Sequence, residues 1–448
     1  MPSSPAPIAA RAERTDRILV TPLEGTSVVS LRATLTARGF DVDPGVGMDA
    51  FAAVRVPPGT DAARLAAELA QRVPARNVEA DGVVRAQREP NDPLYRQEQG
   101  YLDVIHAARA WDSTTGGAEV LIAIVDSGVA WDQPDLRDRL FYNTREAPLS
   151  AVDADGNGCP ADIVGCNFVS LATADPSCEY TAAPPNWRTS DDEGHGTFVA
   201  GLAAAAGDNG AGITGIAWNA RILPVKVLDC TATGRIADAA AGIRYAARMG
   251  AQVINVSFGA TADSLVLREA VEEAQARGSM IVASAGNESQ RAITYPAAYP
   301  GVVSVAASGR IGAEGVDYRS LALFTNFGGV DVMAPGVGVV STVPEAACGT
   351  RGWTCIDGPY ASASGSSFAT PIVAGAVALL RARFPDLSPA LLRSILLGSR
   401  QPGTLAADPG LLDIGAAVDW PIYSNGAPGT SRAGDGPPRG PAVGPGGR

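Results

Sequence analysis

Short apolar runs separated by helical patterns are the feature that most constrains the fold of this 448-residue chain. They occupy residues 120–125, 222–227, 253–258, 280–283 and 302–306. The segments between them are rich in alanine and have helical periodicity. Nearly continuous apolar runs of this length are typical of parallel strands that are buried on both faces. The pattern therefore predicts an α/β domain over residues 89–420, with a doubly wound, mostly parallel sheet.

A smaller α+β unit precedes this domain, within residues 16–88. Its predicted elements are a strand at 17–22, a helix at 28–38, strands at 40–46 and 52–56, a helix at 61–72 and a strand at 77–85. The β-α-β-β-α-β order is that of a ferredoxin-like domain. Residues 1–15, rich in Ala, Pro and Ser, and residues 421–448, rich in Gly, Pro and Ser, lack periodicity, and we expect both segments to be disordered.

The charge of the chain limits the partners that it can have. Its net charge is −12 at pH 7 and its pI is about 4.8, which argues against nucleic-acid and anionic-membrane binding because both need basic patches. Lys226 is the only lysine, which we interpret as a compositional bias and not as part of a mechanism. No apolar stretch reaches the roughly 18 residues of a membrane span.

Six cysteines favour an oxidising compartment. The most economical pairing joins Cys159 to Cys166, Cys348 to Cys355 and Cys178 to Cys230. Many other pairings are possible, and six free thiols in a cytosolic protein are the alternative. Residues 1–17 contain no apolar run long enough for a signal peptide. Either the chain is not exported or it begins after a removed signal, and the predicted disulfides favour the second.

Only two histidines are present, so general-base chemistry near neutral pH has two candidate imidazoles. His195 lies between two glycines, at the start of a small-residue helix over 198–203. His106 lies in a segment, 104–111, with the pattern of an ordinary amphipathic helix, and neither a nucleophile nor a carboxylate is evident for it. We therefore expect His195 to be the functional histidine.

Three polar residues lie where open α/β sheets collect their functional groups, at strand ends and helix starts. Asp126 ends the first apolar run, His195 opens a helix and Ser367 begins another. Asp126 and Ser367 each have an ordinary explanation, because aspartate and serine often cap helices or form turns. Together, in this chain order, they can supply the orienting carboxylate, the general base and the nucleophile of a serine hydrolase.

The segments around these residues resemble the three signature motifs of the subtilisin-like serine proteases, the subtilase family. They are Asp-Ser-Gly at 126–128, His-Gly-Thr-Phe-Val-Ala-Gly at 195–201, and Gly-Ser-Ser-Phe-Ala-Thr-Pro-Ile-Val-Ala-Gly at 365–375. The similarity covers roughly residues 91–400. It implies a subtilisin-like fold and a serine endopeptidase that hydrolyses protein or peptide substrates through an acyl-enzyme intermediate.

The resemblance also implies roles for single residues. Ser367 attacks the scissile carbonyl, His195 takes and returns the proton, and Asp126 orients His195. Asn287, at the end of a Ser-Ala-Gly-Asn segment, resembles the family's oxyanion-hole asparagine, which acts beside the backbone N–H of Ser367. An asparagine in a turn after glycine is the alternative explanation for Asn287.

Two segments resemble the edges between which these proteases bind an extended substrate as an added strand. One edge contains Thr233 and Gly234. The other contains Ser257, Phe258 and Gly259. Packing in the core is the alternative role for Phe258. Side-chain preference depends on loop geometry that the sequence does not supply.

Residues 16–88 resemble the propeptide domain that assists folding of these proteases and then occupies the active site as an inhibitor. This implies a zymogen that matures by autocleavage between about Arg85 and Asn91. An accessory ferredoxin-like domain is the alternative. The implied product is a monomeric protease that is secreted or periplasmic.

Calcium is the implied cofactor, with a structural role. Asp92, Asp135 and Asn209 fall where related proteases hold a structural Ca²⁺ with the help of loop carbonyls. Asn209 lies in the segment Gly-Asp-Asn-Gly-Ala-Gly at 207–212.

A second candidate calcium site comes from residue spacing. Asp153, Asp155 and Asn157 place oxygen ligands at alternate positions and a glycine occupies the sixth, as in the first half of an EF-hand loop. Val164 replaces the final glutamate, although Asp162 could compensate. The alternative is a hairpin of Asx turns that is closed by a disulfide.

The chain departs from the common family pattern at positions outside the catalytic residues. Phe198 and Ile372 stand where many relatives have further histidines, and Gln133 replaces another. The alternative function is that of a catalytically silent family member, acting as a peptide-binding or structural protein, and the complete triad with Asn287 argues against it. A nucleotide-binding enzyme is a third, but it would need a glycine-rich phosphate loop that residues 125–129 do not provide.

Overall fold

The computed structural model describes residues 16–47, 49–81, 88–148, 150, 152–170, 178, 186–313, 315–405 and 408–421. The predictions for residues 1–15 and for the tail from 422 onward fall outside these ranges. The same holds for residues 82–87, which include Arg85 of the predicted cleavage region. The chain divides into two compact units, Met1–Ala86 and Gln87–Arg448.

The first unit contains a four-stranded antiparallel sheet and two helices. Its elements are β1 (Arg17–Thr21), α1 (Val28–Ala37), β2 (Val42–Asp43), β3 (Ala52–Arg55), α2 (Ala62–Ala70) and β4 (Asn77–Ala80). The strand order is β2-β3-β1-β4, and β1 is antiparallel to both of its neighbours. This is the topology of a split β-α-β motif. Its core includes Ile18, Val20, Leu31 and Leu35.

The second unit is built around a larger sheet. Its strands are β5 (Leu121–Asp126), β6 (Cys166–Asn167), β7 (Arg221–Lys226), β8 (Val253–Val256), β9 (Met280–Ser284), β10 (Val303–Gly312), β11 (Gly315–Leu321) and β12 (Val332–Pro335), and a separate hairpin is formed by β13 (Val339–Thr342) and β14 (Tyr360–Ala363). Its helices are α3 (Pro93–Glu98), α4 (Tyr101–Val104), α5 (Ala107–Ser113), α6 (His195–Ala204), α7 (Ile236–Arg248), α8 (Leu265–Ala276), α9 (Ser366–Arg383), α10 (Pro389–Gly398) and α11 (Ile414–Val418).

The larger sheet has the order β11-β10-β9-β8-β5-β7-β6, and β12 also pairs with β10. All of its pairs are parallel except β10 with β11, so the predicted mostly parallel sheet is confirmed. The chain places β7 on one side of β5 and β8 to β10 on the other. The winding therefore reverses at β5, and ligands bind at the carboxyl ends of strands at such a reversal. Asp126 is the last residue of β5.

Helices cover both faces of this sheet, which explains the apolar runs. Ile122 and Ile124 of β5 belong to one hydrophobic cluster, which includes residues of α6 and α9. Ala123 and Val125 belong to the other cluster, with residues of α7 and α8. Because neighbouring side chains of a strand point to opposite faces, a strand covered on both faces must be apolar at nearly every position.

All six cysteines form disulfides, and the pairing is the predicted one. The bonds are Cys159–Cys166, Cys178–Cys230 and Cys348–Cys355. Among the described residues, no helix is both long and apolar enough to cross a membrane.

The prediction of one helix over residues 104–111 is wrong. The helix α4 ends at Val104 and α5 begins at Ala107, and His106 between them has a φ of 56°. A residue in this left-handed region interrupts an α-helix. Contrary to expectation, His106 also has a carboxylate partner, because its Nδ1 lies 3.0 Å from Oδ2 of Asp413.

Candidate active site

Asp126 and His195 lie together at the carboxyl edge of the sheet. Asp126 is fully buried at the end of β5, and His195 is the first residue of α6. Nδ1 of His195 lies 2.7 Å from Oδ1 of Asp126. A carboxylate at Nδ1 fixes the tautomer in which Nδ1 carries the proton, so Nε2 is left free to accept one.

Carboxylates hold the loop that leads into His195. Asp191 accepts hydrogen bonds from the backbone N–H groups of Glu193 and Gly194 through Oδ1, and from that of Thr197 through Oδ2, at 2.9–3.0 Å. Glu193 accepts the N–H of His195 at 2.6 Å through Oε2. Two of these donors, the N–H groups of His195 and Thr197, belong to the first helical turn and have no acceptor within the helix.

The same carboxylates determine the pKa of His195. Burial acts to lower this pKa, but the charge and the hydrogen bond of Asp126, together with the charges of Glu193 and Asp191, raise it to about 9. The pKa of Glu193 is raised by burial, and the charge of the neighbouring Asp191 raises it further. The imidazole is therefore a stronger base than an ordinary histidine.

Lys226 partly balances this negative charge. It is 1% exposed and lies at the end of β7, opposite Asp126 in the parallel pair. Its Nζ donates hydrogen bonds to Oδ1 of Asp192 at 2.7 Å and to the carbonyl of Ser127. Lys226 thus joins the turn after Asp126 to the loop before His195. The interpretation of this lysine as compositional bias missed its structural role.

Ser367 lies in the first turn of α9 and is partly buried. The ring of the next residue, Phe368, packs against the imidazole of His195 with 5.3 Å between ring centroids. The carbonyl of Ser367 accepts a hydrogen bond from Oγ of Ser257 at 2.7 Å, and Nδ2 of Asn255 donates to the same Oγ at 2.9 Å. Asn255 is fully buried and had no signal of function in the sequence.

Asn287 is exposed beside the same helix start. Its Oδ1 accepts the backbone N–H of Ser366 at 2.9 Å, and its Nδ2 donates to no acceptor among the described parts of the chain. The backbone N–H of Ser367 lies in the first helical turn and has no intrahelical acceptor. Two hydrogen-bond donors are thus available at the start of α9.

Four of the five predicted substrate-edge residues line one cavity of about 240 Å³. They are Thr233, Gly234, Phe258 and Gly259. The position of Gly234 requires glycine, because a Cβ there would lie 2.3 Å from the carbonyl oxygen of Val227. The fifth, Ser257, does not line the cavity, since its buried side chain donates to the carbonyl of Ser367.

The structure brings the first set of predicted calcium ligands together. Nδ2 of Asn209 donates to Oδ1 of Asp135 at 2.9 Å, and the backbone N–H of Asn209 donates to Oδ1 of Asp92 at 3.3 Å. Asp92 and Asp135 are at most 1% exposed, and burial raises the pKa of both. Neither has an ion-pair partner within the described ranges. Two buried carboxylates without a cation fit a site for a hard, oxygen-bound metal ion.

The second predicted set forms a hydrogen-bonded loop. Asp153 and Asp155 accept the backbone N–H of Asn157 at 3.1 and 3.2 Å. Nδ2 of Asn157 donates to Asp162 at 2.7 Å, and Asp155 forms an ion pair with Arg145. These contacts favour the Asx-turn hairpin over an EF-hand-like site.

An acidic group at this hairpin includes one residue that the sequence pattern did not identify. Carboxylate oxygens of Glu146, Asp155 and Asp162 lie within 4.8 Å of one another, which is close enough to hold a metal ion. Glu146 accepts hydrogen bonds from the backbone of Ala154 and Ala161. Asp153 is not part of this group.

Comparison with known proteins gives one family. The family model described as "Subtilase family" matches residues 117–414. The chain is 36% identical over 292 residues to "Thermophilic serine proteinase" of Bacillus sp. (strain AK1). This alignment covers 65% of this chain and 59% of that protein. It is 37% identical over 293 residues to "Thermitase" of Thermoactinomyces vulgaris, and this alignment covers 65% of this chain and 85% of that protein. For the first of these relatives, the match thus spans less than two thirds of its length.

Solved structures give the same result. The chain resembles a structure described as "Proteases from Pseudoalteromonas arctica PAMC 21717", with a TM-score of 0.58 and 28% identity over 74% of this chain and 99% of the other. It also resembles "Sphericase", with a TM-score of 0.52 and 29% identity over 67% of this chain and 93% of the other.

Replacing Lys226 with methionine is expected to lower the free energy of unfolding by about 3–5 kcal/mol, because it leaves Asp192 buried without its cation. Urea unfolding measures this loss. The double variant Lys226→Met/Asp192→Leu should recover much of it, since an apolar pair can replace a buried ion pair. Arg277→Met, which breaks the more exposed pair with Glu273, should cost at most about 1 kcal/mol. Equal losses for the two single variants would contradict a central role for Lys226.

Proposed function

The chain belongs to the subtilase family, and we propose that it is a serine endopeptidase acting through Asp126, His195 and Ser367. The observation that carries the proposal is the 2.7 Å contact between His195 and Asp126, with the start of α9 packed against the imidazole. These are the parts that a Ser-His-Asp mechanism needs.

In the proposed mechanism, Oγ of Ser367 attacks the scissile carbonyl while Nε2 of His195 accepts its proton. Asp126 stabilises the resulting imidazolium. The oxyanion accepts hydrogen bonds from Nδ2 of Asn287 and from the backbone N–H of Ser367. His195 then donates the proton to the leaving amine, and water hydrolyses the acyl-enzyme by the reverse sequence. Losing one oxyanion donor costs about 10²–10³-fold in kcat in a relative of this family.

The substrate is proposed to be an extended peptide that lies along the two predicted edges. The cavity between them is lined by apolar side chains that include Leu228, Phe258 and Leu267. An apolar side chain of the substrate fits this lining, because burial of apolar surface favours binding. The backbone of the peptide would add as a strand at these edges.

The first unit is proposed to be a propeptide, so that the protein is made as a zymogen and matures by cutting itself between about Arg85 and Asn91. The ferredoxin-like topology of that unit supports this proposal. The mature enzyme is proposed to be a monomer that is secreted or periplasmic. Three disulfides support an oxidising compartment.

A structural Ca²⁺ is proposed to be held by Asp92, Asp135 and Asn209. The ion would neutralise the two buried carboxylates and tie the segment before α3 to the loop after α6. It would act on stability and would take no part in the chemistry. The fit of these residues supports the proposal, whereas the hairpin around Asp155 has Arg145 as its own cation.

The first prediction from this proposed function concerns the nucleophile. A fluorophosphonate probe should label wild-type protein and the Ser364→Ala variant, in which a nearby exposed serine is changed, but not Ser367→Ala. Loss of Ser367 should lower kcat by about 10⁶-fold, a figure taken from a family relative. Intact mass should show that only labelled proteins lose the first unit. Unlabelled mature wild type would exclude the protease, and active protein that still begins near residue 16 would exclude maturation.

The second prediction concerns pH. The general base must be neutral, so a pKa raised to about 9 means that kcat/KM falls as the pH drops through this value. Glu193→Gln removes one charge that raises this pKa and should move the acid limb to lower pH. His106→Gln should leave the limb unchanged. A limb that moves in His106→Gln would show that His195 is not the only essential imidazole.

The third prediction concerns the metal. Melting temperature in excess Ca²⁺ should exceed that in EDTA, because a ligand that binds only the folded state stabilises it. The difference should shrink strongly in Asp135→Asn and persist in Asp153→Asn. Identical melting in EDTA and Ca²⁺ would rule out a structural calcium ion.

A further inference from the structure

The loop between β13 and β14 carries a residue that the proposed mechanism does not use. Trp353 lies within the segment closed by the disulfide Cys348–Cys355. Although it belongs to a surface loop, its side chain is buried, with 9% exposure. A large aromatic side chain that a disulfide loop directs inward suggests a specific contact beneath it.

The indole of Trp353 holds the backbone that leads into His195. Its Nε1 donates a hydrogen bond to the carbonyl of Glu193 at 3.0 Å. The next residue, Gly194, has a φ of 117°, and a Cβ there would lie 2.5 Å from the same nitrogen. Glycine is thus required at 194 both for its backbone conformation and for the close approach of the indole.

Aromatic rings also connect Trp353 with the imidazole. Trp353 stacks on Phe198 with ring centroids 5.2 Å apart, and Phe198 packs on Phe368 at 4.5 Å. Phe368 in turn packs on His195 at 5.3 Å. The stacking of Phe198 on Trp353 explains why an aromatic hydrocarbon suits position 198.

Two further contacts fix the loop itself. The backbone N–H of Trp353 donates to the carbonyl of Thr350 at 2.9 Å. The guanidinium of Arg351 donates to the carbonyl of Cys230 at 2.6 Å. Together with the disulfide, these contacts keep the indole directed at the backbone before His195.

We propose that Trp353, held by the Cys348–Cys355 disulfide, is a positioning residue that keeps the His195 imidazole in place between Asp126 and Ser367. The proposal rests on the proposed function. Trp353 acts from two sides, on the backbone through Glu193 and on the ring through the aromatic stack. A misplacement of about 1 Å in a reacting group can reduce the rate by about 10²-fold.

Because the contact with Asp126 affects the pKa of His195, the positioning role can be measured from the pH dependence of kcat/KM. The charged groups around the imidazole are Asp126, Asp191 and Glu193, with the ion pair of Lys226 and Asp192 behind them. A looser imidazole would lose part of its interaction with Asp126, and that interaction holds its pKa high. Its protonated form would be less favoured, so the acid limb of kcat/KM would move to lower pH.

The experiment compares tryptophan variants that keep or remove the ring. Trp353→Ala should lower kcat by about 10²-fold with a much smaller change in KM, and it should move the acid limb to lower pH. Trp353→Phe removes the N–H donor but keeps a smaller aromatic ring on Phe198, so the same effects should be smaller. Trp111→Phe is the matched control, because that buried indole also donates to a backbone carbonyl, of Ile216 at 2.9 Å. It should lower stability without moving the acid limb.

A second comparison tests the disulfide. Cys348→Ser/Cys355→Ser should reproduce the loss of kcat and the shift of the limb. Cys159→Ser/Cys166→Ser is matched to it, because both disulfides join residues seven apart and so constrain the unfolded chain equally. The control should lower the melting temperature alone.

The outcomes separate this inference from the proposed function. If wild-type protein is not labelled by a fluorophosphonate, the proposed function fails. If wild type is labelled but the acid limb and kcat of Trp353→Ala equal those of wild type, the function stands and the positioning role is overturned. An equal shift in Trp111→Phe would also overturn it, since the effect would then follow from general loss of stability.

Discussion

The parallel pairing of β5 with β7 on one side and β8 on the other organises the second unit. These ladders bury β5 on both edges, and two helical layers bury it on both faces. Asp126 therefore lies at the end of a strand that is constrained on both edges and on both faces. The position of its carboxylate is therefore set by the sheet and not by a loop. The helices that carry His195 and Ser367 pack against the same strand.

Opposing electrostatic effects meet at His195. Removal from water favours the neutral imidazole, whereas the charges of Asp126, Glu193 and Asp191 favour the protonated one. The attraction of these carboxylates is the larger effect, so the pKa of His195 is raised. The cluster remains foldable because its carboxylates accept backbone hydrogen bonds and because Lys226 supplies a buried cation. The same groups thus serve two purposes, since they shape the loop before α6 and they set the basicity of the proposed general base.

Much of the fold was predictable because its signals are local. Apolar runs marked the strands and Asp126 at the end of one of them, whereas His195 and Ser367 were marked by the motifs in which they lie. The missed contacts are those that only the folded chain creates. Lys226 meets Asp192 across 34 positions, and Trp353 meets Glu193 across 160. No periodicity in the sequence predicts contacts between residues so far apart in the chain. The left-handed turn at His106 was missed for a related reason, since tertiary packing there overrides the helical pattern.

The burial of Lys226 has a chemical consequence beyond catalysis. It is the only lysine side chain of the protein, and it is held in an ion pair away from solvent. Apart from the terminal amine, the native surface therefore offers no primary amine to acylating reagents, aldehyde cross-linkers or amine-reactive supports. The exposed cations are guanidinium groups, which stay protonated and do not react in this way. Apart from the terminal amine, attachment of this protein to a surface needs groups other than amines, such as carboxylates, and acylation of Lys226 would report unfolding.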